Sequence, residues 1–341
     1  MKGDQNMRTK ILVVGFGFMG QTHAGNLLKN PSAELAGIVD PFDPAERLAS
    51  IKGNKNTVTI TPADVISVPH YKTLEEALAS TDADGAIVAL PTKLHHRAVM
   101  ACLKANLHVF VEKPFAISLK ECQEMVACAD EKNLCLAVGY VVRYMKEYTL
   151  LRETILSGRL GKLTFLKLSR ITGIPDWGNW KDPEFIRASG GSLFDLVSHD
   201  LDFARFCAGE PLTVESVPDL GRNHFAMIST VLRYKEFNVA VEGGFVTPST
   251  YPFQRSFTAY FENGTLQTSD REGILMEYSP EGIRELPFTE EDPYYREVDC
   301  FLHALQSGDR SAICLGSDAL HSIECCTDIA RQISYPMPEG I

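Results

Sequence analysis

Long hydrophobic runs are missing from this sequence of 341 residues. A helix that crosses a membrane needs about 20 consecutive apolar residues, and no stretch approaches that length. The first residues, MKGDQNMRTKILVVG, carry charges but no apolar segment that ends in a small-residue cleavage site, as a secretory signal would. We therefore expect a cytoplasmic protein with a short, loose N-terminal tail.

An excess of positive charge is also missing. The 33 Lys and Arg residues are outnumbered by 44 Asp and Glu residues, which gives a net charge of −11 and a sequence pI of about 5.3. Binding to nucleic acid, or docking on an anionic membrane surface, requires a basic surface. The composition therefore argues against both kinds of partner. It leaves an anionic cofactor open, because backbone N–H groups bind phosphate whatever the net charge.

The nine cysteines form neither a metal-binding nor a redox pattern. C-x-x-C is absent, and no set of Cys and His residues has the spacing of a zinc site. Most cysteines lie within apolar helical or strand patterns, which favours buried, reduced thiols. The adjacent Cys325 and Cys326 lack a charged partner in sequence that would activate a thiol, so a redox function is the weaker interpretation. We predict reduced thiols and no bound metal.

What the sequence does contain is a glycine-rich turn directly after an apolar strand pattern. Positions 10–20 read KILVVGFGFMG, and the four aliphatic residues predict a strand buried on both faces. The glycines match G-x-G-x-x-G, in which the first allows a tight turn, the second a close approach to a pyrophosphate, and the third close helix packing. The residues of this turn that we predict to bind a dinucleotide are Gly15, Phe16, Gly17, Phe18, Met19 and Gly20.

The sequence around the turn supports the same interpretation. Residues 21–29 have a helical pattern that stops before Pro31, and a second strand pattern, 35–39, ends in Asp40. An acidic residue at that place accepts hydrogen bonds from an adenosine ribose and repels a 2′-phosphate. We therefore predict NAD as the cofactor. NADP stays the less favoured alternative, because Arg47 is near Asp40 in sequence.

Strand and helix patterns alternate over the first 140 or so residues, which predicts a doubly wound parallel sheet, an α/β fold. Further strands are predicted at 84–90, 107–111 and 134–138, with an irregular insertion at 52–69. Ligands of such sheets bind beyond the carboxyl ends of the strands. The residues directly after the strands therefore matter most: Gly15, Asp40, Pro91, Lys113 and Tyr140.

From Tyr144 onward the pattern changes to that of an α+β domain with a mostly antiparallel sheet. Asn263-Gly264 is a hairpin signal between two strands. We predict a dinucleotide-binding domain at 1–140 and a substrate-binding and oligomerisation domain at 141–341, whose helical tail, 295–334, packs back on the first. The predicted helices are 146–157 and 192–208, and the predicted strands are 163–171, 225–234, 238–245 and 257–261.

Two groups of side chains have the chemistry of a reaction centre. Lys113, in Glu112-Lys113-Pro114, follows a strand, where an ammonium group can polarise a carbonyl or stabilise an alkoxide. Asp195 and His199 are four residues apart on a predicted helix, so that they share one face. An imidazole held by a carboxylate is a proton acceptor near neutral pH. Taken alone, Lys113 would be better explained as a surface lysine in a loop, and a surface Asp–His pair would explain Asp195 and His199 equally well.

A third group contains both tryptophans of the chain. It reads Pro175-Asp-Trp-Gly-Asn-Trp-Lys181. Flat aromatic faces beside Asp and Asn suit a polyol, which has apolar C–H faces and many hydroxyls. Anchoring of a loop in a core is the equally weighted alternative. The candidates for substrate binding here are Asp176, Trp177 and Asn179.

Together these motifs resemble the Gfo/Idh/MocA family of nicotinamide-dependent oxidoreductases, the group of glucose–fructose oxidoreductase and inositol 2-dehydrogenase. The resemblance covers nearly the whole chain. It rests on VVGFGFMG with Asp40, on ALPTKLHH followed by ANLHVFVEKP, on GYVVRY, and on SGGSLFDLVSHDLD. It implies a Rossmann domain, a C-terminal α/β domain with a large open sheet, and assembly into a homo-oligomer, a dimer or a tetramer.

The resemblance also implies roles for individual residues. Lys113, Asp195 and His199 are expected to line the reaction centre. Tyr140 and Arg143 are weaker candidates for binding substrate hydroxyls. The residues expected to border the cofactor, in addition to the glycine turn and Asp40, are Pro91, Thr92, His95, Glu112 and Lys113.

Our prediction is hydride transfer between NAD and a hydroxyl-bearing carbon of a sugar, inositol or related polyol. Two alternatives use the same residues. In the first, a tightly bound NAD oxidises a glycoside transiently, so that it is cleaved or rearranged. In the second, the protein binds a dinucleotide and regulates a partner without catalysis. The presence of both Lys113 and His199 argues against the second alternative.

Overall fold

The computed structural model describes residues 8–50, 60–175, 180, 182–217, 227–246 and 248–337. The chain forms two compact units, which we call the first and the second unit. The first consists of Met1–Gly139 and Tyr294–Leu320, and the second of Tyr140–Pro293 and His321–Ile341. From the sequence we predicted a domain boundary between residues 140 and 141, and this boundary stays a prediction.

The first unit contains a six-stranded sheet in which all neighbouring strands are parallel. Its strands are β1 (Thr9–Val14), β2 (Ala33–Val39), β3 (His70–Tyr71), β4 (Gly85–Val88), β5 (His108–Glu112) and β6 (Leu136–Gly139). The strand order is β3-β2-β1-β4-β5-β6, so the chain reverses its direction of travel between β1 and β4. The predicted doubly wound sheet is confirmed. Its reversal point is where such sheets bind ligands.

Helices connect these strands. The first starts earlier than we predicted, at Phe18, because the glycine turn leads directly into it. Thr73 caps the fourth helix by accepting a hydrogen bond from Glu76 N–H. Glu76 in turn accepts a hydrogen bond from Lys72 N–H. The helices are α1 (Phe18–Lys29), α2 (Pro44–Ser50), α3 (Pro62–Val65), α4 (Leu74–Ser80), α5 (His95–Lys104) and α6 (Leu119–Glu131).

Residues from late in the chain complete the first unit. Helix α10 (Pro293–Ser307) buries Val298, Phe301 and Leu302 in the same apolar core as Phe110 of β5. The backbone N–H of Val138 donates to Cys314 O at 2.9 Å, so a late segment pairs with the edge strand β6. Covering an edge strand removes the unpaired backbone groups that would otherwise face solvent.

The second unit is built on an eight-stranded sheet in the order β14-β13-β12-β11-β7-β10-β9-β8. Only β7 and β10 pair in parallel, so the prediction of a mostly antiparallel sheet is confirmed. The predicted hairpin at Asn263-Gly264 joins β11 to β12. The strands are β7 (Leu163–Gly173), β8 (Thr213–Val217), β9 (Met227–Arg233), β10 (Asn238–Val246), β11 (Gln254–Phe261), β12 (Gly264–Thr268), β13 (Ile274–Ser279) and β14 (Gly282–Pro287).

Helical segments pack against this sheet, and β10 has its main helical contact with residues 192–197. Strands alternate between buried residues such as Leu166 and Leu168 and exposed ones such as Lys167, which pairs with Glu242. We did not predict β3, β8, β13, β14, the helix α8 (Pro183–Ser189) or the helix α3, which lies in the stretch 52–69 that we expected to be irregular. Strand β14 is exposed along most of its length and so lacks an alternating apolar pattern. The helices are α7 (Lys146–Ser157), α8 (Pro183–Ser189) and α9 (Ser198–Ala208); α11 (Gly316–Gln332) contributes residues to both units.

All nine cysteines lie in the described part of the chain as free thiols, and seven are buried. Burial raises the pKa of Cys325 to about 11, and the pKa of Cys326 lies well above its ordinary value for the same reason. Both thiols therefore stay protonated, which agrees with the predicted unreactive state. Among the described residues, no helix combines the length and the apolar composition that crossing a membrane requires.

Candidate active site

The glycine turn after β1 has the geometry that each of its three glycines suggests. Gly15 has φ +92°, and a Cβ there would lie 2.6 Å from Ala89 O. A Cβ on Gly20 would lie 1.9 Å from Gly15 O, so only glycine lets α1 approach the turn. By contrast, a Cβ on Gly17 would meet nothing within 4 Å. The backbone at Gly17 therefore borders open space, as the close approach of a pyrophosphate requires.

The residues around Gly17 complete a cradle for an anion. Phe16 is buried, whereas Phe18 and Met19 are half-buried at the start of α1. The first turn of α1 contains no acidic side chain. The N–H groups at the start of α1 and the positive end of its dipole therefore favour an anion, and no carboxylate of the helix's own first turn competes for them. These residues fit the diphosphate of a dinucleotide.

Asp40 is tied to the glycine turn by its side chain. Its Oδ2 accepts a hydrogen bond from Phe16 N–H at 2.8 Å, and its Oδ1 accepts one from Phe42 N–H at 3.0 Å. The guanidinium Nε of Arg47 lies 3.5 Å from Oδ1, and this guanidinium also stacks over the Phe42 ring. The carboxylate is only 4% exposed. Asp40 therefore braces the turn and keeps a negative charge beside it.

The loop after β4 contains the predicted residues Pro91, Thr92 and His95. Thr92 opens a short 3₁₀ turn, and His95 begins α5. His95 is buried, with Nε2 2.8 Å from Leu90 O and Nδ1 3.0 Å from Pro114 O. Burial lowers the pKa of His95, although the backbone oxygens oppose this effect. The side chain thus links the loop after β4 with the loop after β5, whereas Pro91 and Thr92 lie nearer the surface.

Lys113 directly follows β5, and its backbone is fixed by its neighbour. Glu112 Oε2 accepts a hydrogen bond from Lys113 N–H at 3.1 Å, and Glu112 Oε1 lies 2.6 Å from His23 Nε2. The peptide bond between Lys113 and Pro114 is cis. The Lys113 side chain is half-buried, while Glu112 is buried. Lys113 therefore projects from an anchored position at the carboxyl end of the sheet.

In the second unit, the segment that carries Asp195 and His199 departs from the single helix that we predicted at 192–208. Gly190 and Gly191 both have positive φ, and Ser192–Val197 then forms a π-helix before α9 begins. The prediction of one continuous α-helix is wrong, since hydrogen bonds of a π-helix span five residues. Such wide turns occur often at functional sites.

Asp195 and His199 lie on either side of the junction between the π-helix and α9. Asp195 is half-buried, and His199 is 8% exposed. The ring of His199 meets the ring of Tyr140 edge to face, with centroids 5.9 Å apart. Tyr140 therefore supports the imidazole directly by an aromatic contact.

Sequence reasoning missed Tyr335, which holds the start of this segment. Its hydroxyl donates to Gly190 O at 3.1 Å and lies 3.4 Å from Leu193 N and from Ser192 Oγ. Burial raises the pKa of Tyr335 to about 12, so the hydroxyl remains a donor. No local pattern connects Tyr335 with Gly190, because the two residues are 145 positions apart.

Arg143, a candidate for substrate binding, is part of a buried ion pair. Its Nε and Nη2 donate to the two carboxylate oxygens of Asp202 at 2.7 and 2.6 Å, and its guanidinium stacks over Phe206. Asp202 also accepts from Ser322 Oγ at 3.1 Å. A second buried pair, between Arg170 and Asp200, has the same two-bond geometry. These arginines orient α9, which carries His199.

Three other candidates, Asp176, Trp177 and Asn179, lie outside the described residues. The neighbouring Trp180 is 8% exposed and packs against Phe245 and Phe185. This tryptophan therefore belongs to a small apolar core.

Both parts of the sequence match known protein families. Residues 9–140 match an oxidoreductase family with an NAD-binding Rossmann fold, and residues 148–267 match the GFO/IDH/MocA C-terminal domain. A myo-inositol 2-dehydrogenase from Thermotoga maritima is 27% identical, over 89% of this chain and 90% of that protein. A scyllo-inositol 2-dehydrogenase (NAD(+)) from Bacillus subtilis is 28% identical, over 74% of this chain and 70% of that protein.

Solved structures share the fold. An oxidoreductase from Agrobacterium radiobacter, in complex with NAD+, L-tartaric acid and magnesium, has a TM-score of 0.81 to this chain at 18% identity. The match covers 96% of this chain and 97% of that one. At that identity the likeness concerns the fold, whereas the two family matches together span most of the sequence. The chain belongs to the GFO/IDH/MocA family of oxidoreductases, with an NAD-binding Rossmann domain.

Proposed function

We propose that this protein is an NAD-dependent dehydrogenase that oxidises a hydroxyl-bearing carbon of an inositol, a sugar or a related polyol, and catalyses the reverse reduction. The observation that carries the proposal is Lys113 at the carboxyl end of β5, with its backbone N–H fixed by Glu112. Membership of the oxidoreductase family supports it, as do relatives named inositol 2-dehydrogenases.

The cofactor would be held by the first unit. Gly17 leaves room for the diphosphate, whereas Gly15 and Gly20 allow the tight turn that leads into α1. Asp40 offers a carboxylate for the adenosine ribose. Pro91, Thr92 and Lys113 would border the nicotinamide side. A bound nicotinamide supplies hydride acceptance or donation, the chemistry that no amino-acid side chain provides.

The protein residues would handle the proton and the charge of the reacting hydroxyl. His199 takes the hydroxyl proton during oxidation, and Asp195 orients His199 and favours its charged form. Lys113 binds the reacting oxygen and stabilises negative charge on it. Tyr140 supports the His199 ring through their aromatic contact. In the reverse direction, His199 returns the proton to the oxygen.

Other hydroxyls of the substrate would be bound by residues outside the reaction centre. Asp176, Trp177 and Asn179 have the chemistry for this and stay proposals from the sequence. For Arg143 we now favour an indirect role, because Asp202 occupies its Nε and Nη2. We propose that Arg143 orients α9 and through it His199.

We propose NAD rather than NADP, because the Asp40 carboxylate would repel a 2′-phosphate. Arg47, with Nε 3.5 Å from Asp40, partly offsets that repulsion. The ratio of kcat/KM for NAD to that for NADP measures the balance. We expect a ratio above one for the natural sequence and a lower ratio in Asp40→Ser.

We further propose a homo-oligomer, a dimer or a tetramer, that forms through the outward face of the eight-stranded sheet. That face carries the Lys167–Glu242 pair at its centre and the exposed Tyr260 on β11. Sedimentation velocity of the purified protein tests this proposal, and a monomer at micromolar concentration would refute it.

Activity is tested by following absorbance of reduced nicotinamide with NAD or NADP and a panel of inositols, sugars and sugar acids. Lys113→Ala and His199→Ala are assayed beside the natural protein. Removing a general base lowers turnover by about 10²–10⁴-fold, and removing one donor to an oxyanion by about 10²–10³-fold. Turnover with one polyol, lost in both variants, is the expected result.

Other outcomes point to the alternatives. Conversion of a glycoside without net NAD consumption would favour transient oxidation by a cofactor that stays bound, and mass spectrometry of the denatured protein would detect that cofactor. Full turnover in Lys113→Ala would refute the role proposed for this residue. Dinucleotide binding without conversion of any member of a broad panel would favour a regulatory protein.

A further inference from the structure

A buried cluster of three titratable side chains adjoins Lys113 in the first unit. His23 lies on α1, Glu112 ends β5 and Glu297 lies on α10. His23 and Glu297 are 0% exposed and Glu112 is 6% exposed. One ring or carboxylate atom of each residue lies within 4.8 Å of those of the other two. Nothing in the proposed reaction so far uses His23 or Glu297.

The two oxygens of Glu112 have different partners. Oε1 lies 2.6 Å from His23 Nε2, and Oε2 accepts the N–H of Lys113 at 3.1 Å. An ionised carboxylate only accepts hydrogen bonds, so Nε2 of His23 carries the proton that it donates. A separation of 2.6 Å is that of a hydrogen bond. Two ligands of one zinc ion, each about 2.0–2.2 Å from the metal, would lie further apart in a tetrahedral site.

The two hydrogen bonds fix the orientation of the Glu112 carboxylate. With a donor on each oxygen, the group cannot turn without breaking one of them. Loss of the His23 donor would leave a buried carboxylate close to the second buried carboxylate, Glu297. Like charges in such a place favour uptake of a proton or rotation away. Either change would weaken the hold of Glu112 on the Lys113 N–H.

We propose that His23 is a positioning residue for Lys113, which acts through Glu112. The inference rests on the proposed function, because Lys113 must bind the reacting oxygen for its position to affect turnover. His23 itself contacts the Phe110 ring and Glu112, and it is fully buried. Its effect on the reaction therefore passes through the backbone of Lys113.

The first measurement needs neither cofactor nor substrate. Residue-resolved hydrogen exchange, followed by NMR on the signal of the Lys113 amide, reports the hydrogen bond that this amide donates to Glu112 Oε2. In His23→Leu, which removes the donor, we expect faster exchange of this amide. In His23→Gln, which keeps an N–H donor on a side chain of similar reach, we expect protection close to that of the natural protein.

The second measurement is turnover with whichever polyol the panel assay shows to be the substrate. A misplacement of about 1 Å can lower a rate by about 10²-fold, so we expect His23→Leu to lower kcat by about 10- to 100-fold with KM for the polyol unchanged. His23→Gln should restore most of kcat. In the Lys113→Ala background, His23→Leu should have little further effect, because residues that act through one another are not additive.

His108 provides a matched control at the opposite end of the same strand. Its Nδ1 accepts a hydrogen bond from Cys135 N–H at 2.8 Å. His108→Leu therefore removes the hydrogen bond between His108 and Cys135 N–H and leaves the contacts of Glu112 unchanged. We expect it to lower thermal stability and to leave both kcat and exchange of the Lys113 amide unchanged.

Each contrary result has a distinct meaning. Unchanged exchange in His23→Leu, or faster exchange with unchanged kcat, would overturn the inference alone. Additive losses in the Lys113→Ala background, or an equal loss of kcat in His108→Leu, would reduce His23 to a stability residue. Full turnover in Lys113→Ala would instead refute the role proposed for Lys113, whatever the exchange data show, and no turnover of any polyol by the natural protein would count against the proposed function.

Discussion

The glycine turn and the His199 segment are held in place in different ways. The turn depends on backbone contacts and on one carboxylate, Asp40, which lies 24 residues from its partner Phe16. The His199 segment depends on side chains much further away: Arg143 binds Asp202 across 59 positions, and Tyr335 binds Gly190 across 145. The glycine turn is therefore determined by a short stretch of sequence, whereas the His199 segment depends on contacts that form only in the folded protein.

The largest expected effect is that of replacing Arg143, one of the distant side chains on which the His199 segment depends. In Arg143→Met, Asp202 would remain buried without its bidentate partner, which costs about 3–5 kcal/mol of unfolding free energy. We expect a large fall in the denaturant midpoint of the second unit, together with a lower kcat. Arg233→Met is the matched control, since it breaks the exposed pair with Glu215, and its midpoint should hardly change.

A different result for Arg143→Met would contradict the view that distant side chains hold the His199 segment in place. If Arg143→Met kept its stability and raised KM for the polyol, the guanidinium would bind substrate directly, as the sequence suggested. In that case the His199 segment would not depend on the buried pair.

The glycine turn offers two alanine substitutions with opposite expectations. A Cβ at position 20 would meet Gly15 O at 1.9 Å, so Gly20→Ala must shift the turn, at a cost of about 1–3 kcal/mol for overpacking. Gly17→Ala meets no atom and should keep its stability. It should nevertheless weaken NAD binding by about 10- to 100-fold, because displacing the diphosphate loses a charge-assisted hydrogen bond worth about 1.5–3 kcal/mol.

Titration calorimetry with NAD and thermal unfolding separate these two effects. Loss of stability without loss of NAD binding in Gly17→Ala would show that the space at Gly17 is not where the cofactor lies. Equal stability of the two variants would contradict the packing of α1 on the turn.

The features that the sequence predicts are those set by short stretches of chain, and the features that it misses are those set by contacts between distant residues. The parallel sheet, the position of Lys113 after β5 and the hairpin at Asn263-Gly264 all come from short patterns, and the structure has them. The π-helix at Ser192–Val197 was not predictable, because Tyr335 and two positive-φ glycines stabilise it from outside the helical pattern. The ion pairs of Arg143 and Arg170 likewise depend on packing between distant elements.

A smaller effect is expected at Tyr335. Tyr335→Phe removes the hydrogen bond to Gly190 O but keeps the ring, which should cost about 0.5–1.5 kcal/mol. If the hydroxyl shapes the π-helix, kcat should fall severalfold while NAD affinity stays unchanged, since only the segment of Asp195 and His199 moves. A loss of stability with unchanged kcat would mean that the segment keeps its shape without this anchor. Stopped-flow turnover and chemical denaturation measure the two quantities.

The smallest effect concerns His95, which links two loops of the first unit. Burial lowers its pKa below the ordinary value of 6.5. The unfolded chain then binds a proton that the folded protein does not, so the free energy of unfolding should fall as the pH drops below about 6.5. Above that pH the contribution of the neutral His95 should be fully present. His95→Gln should remove this part of the pH dependence, which denaturation at a series of pH values would detect.

The geometry of His95 allows a sharper test of the same point. Both ring nitrogens face carbonyl oxygens, Leu90 O and Pro114 O, and a neutral imidazole can donate to only one of them. Protonation would satisfy both oxygens but leave a charge in a buried place. If burial dominates, stability decreases with falling pH, as we predict. If the two hydrogen bonds dominate, stability increases instead, and the link between the loops at Leu90 and Pro114 tightens in acid.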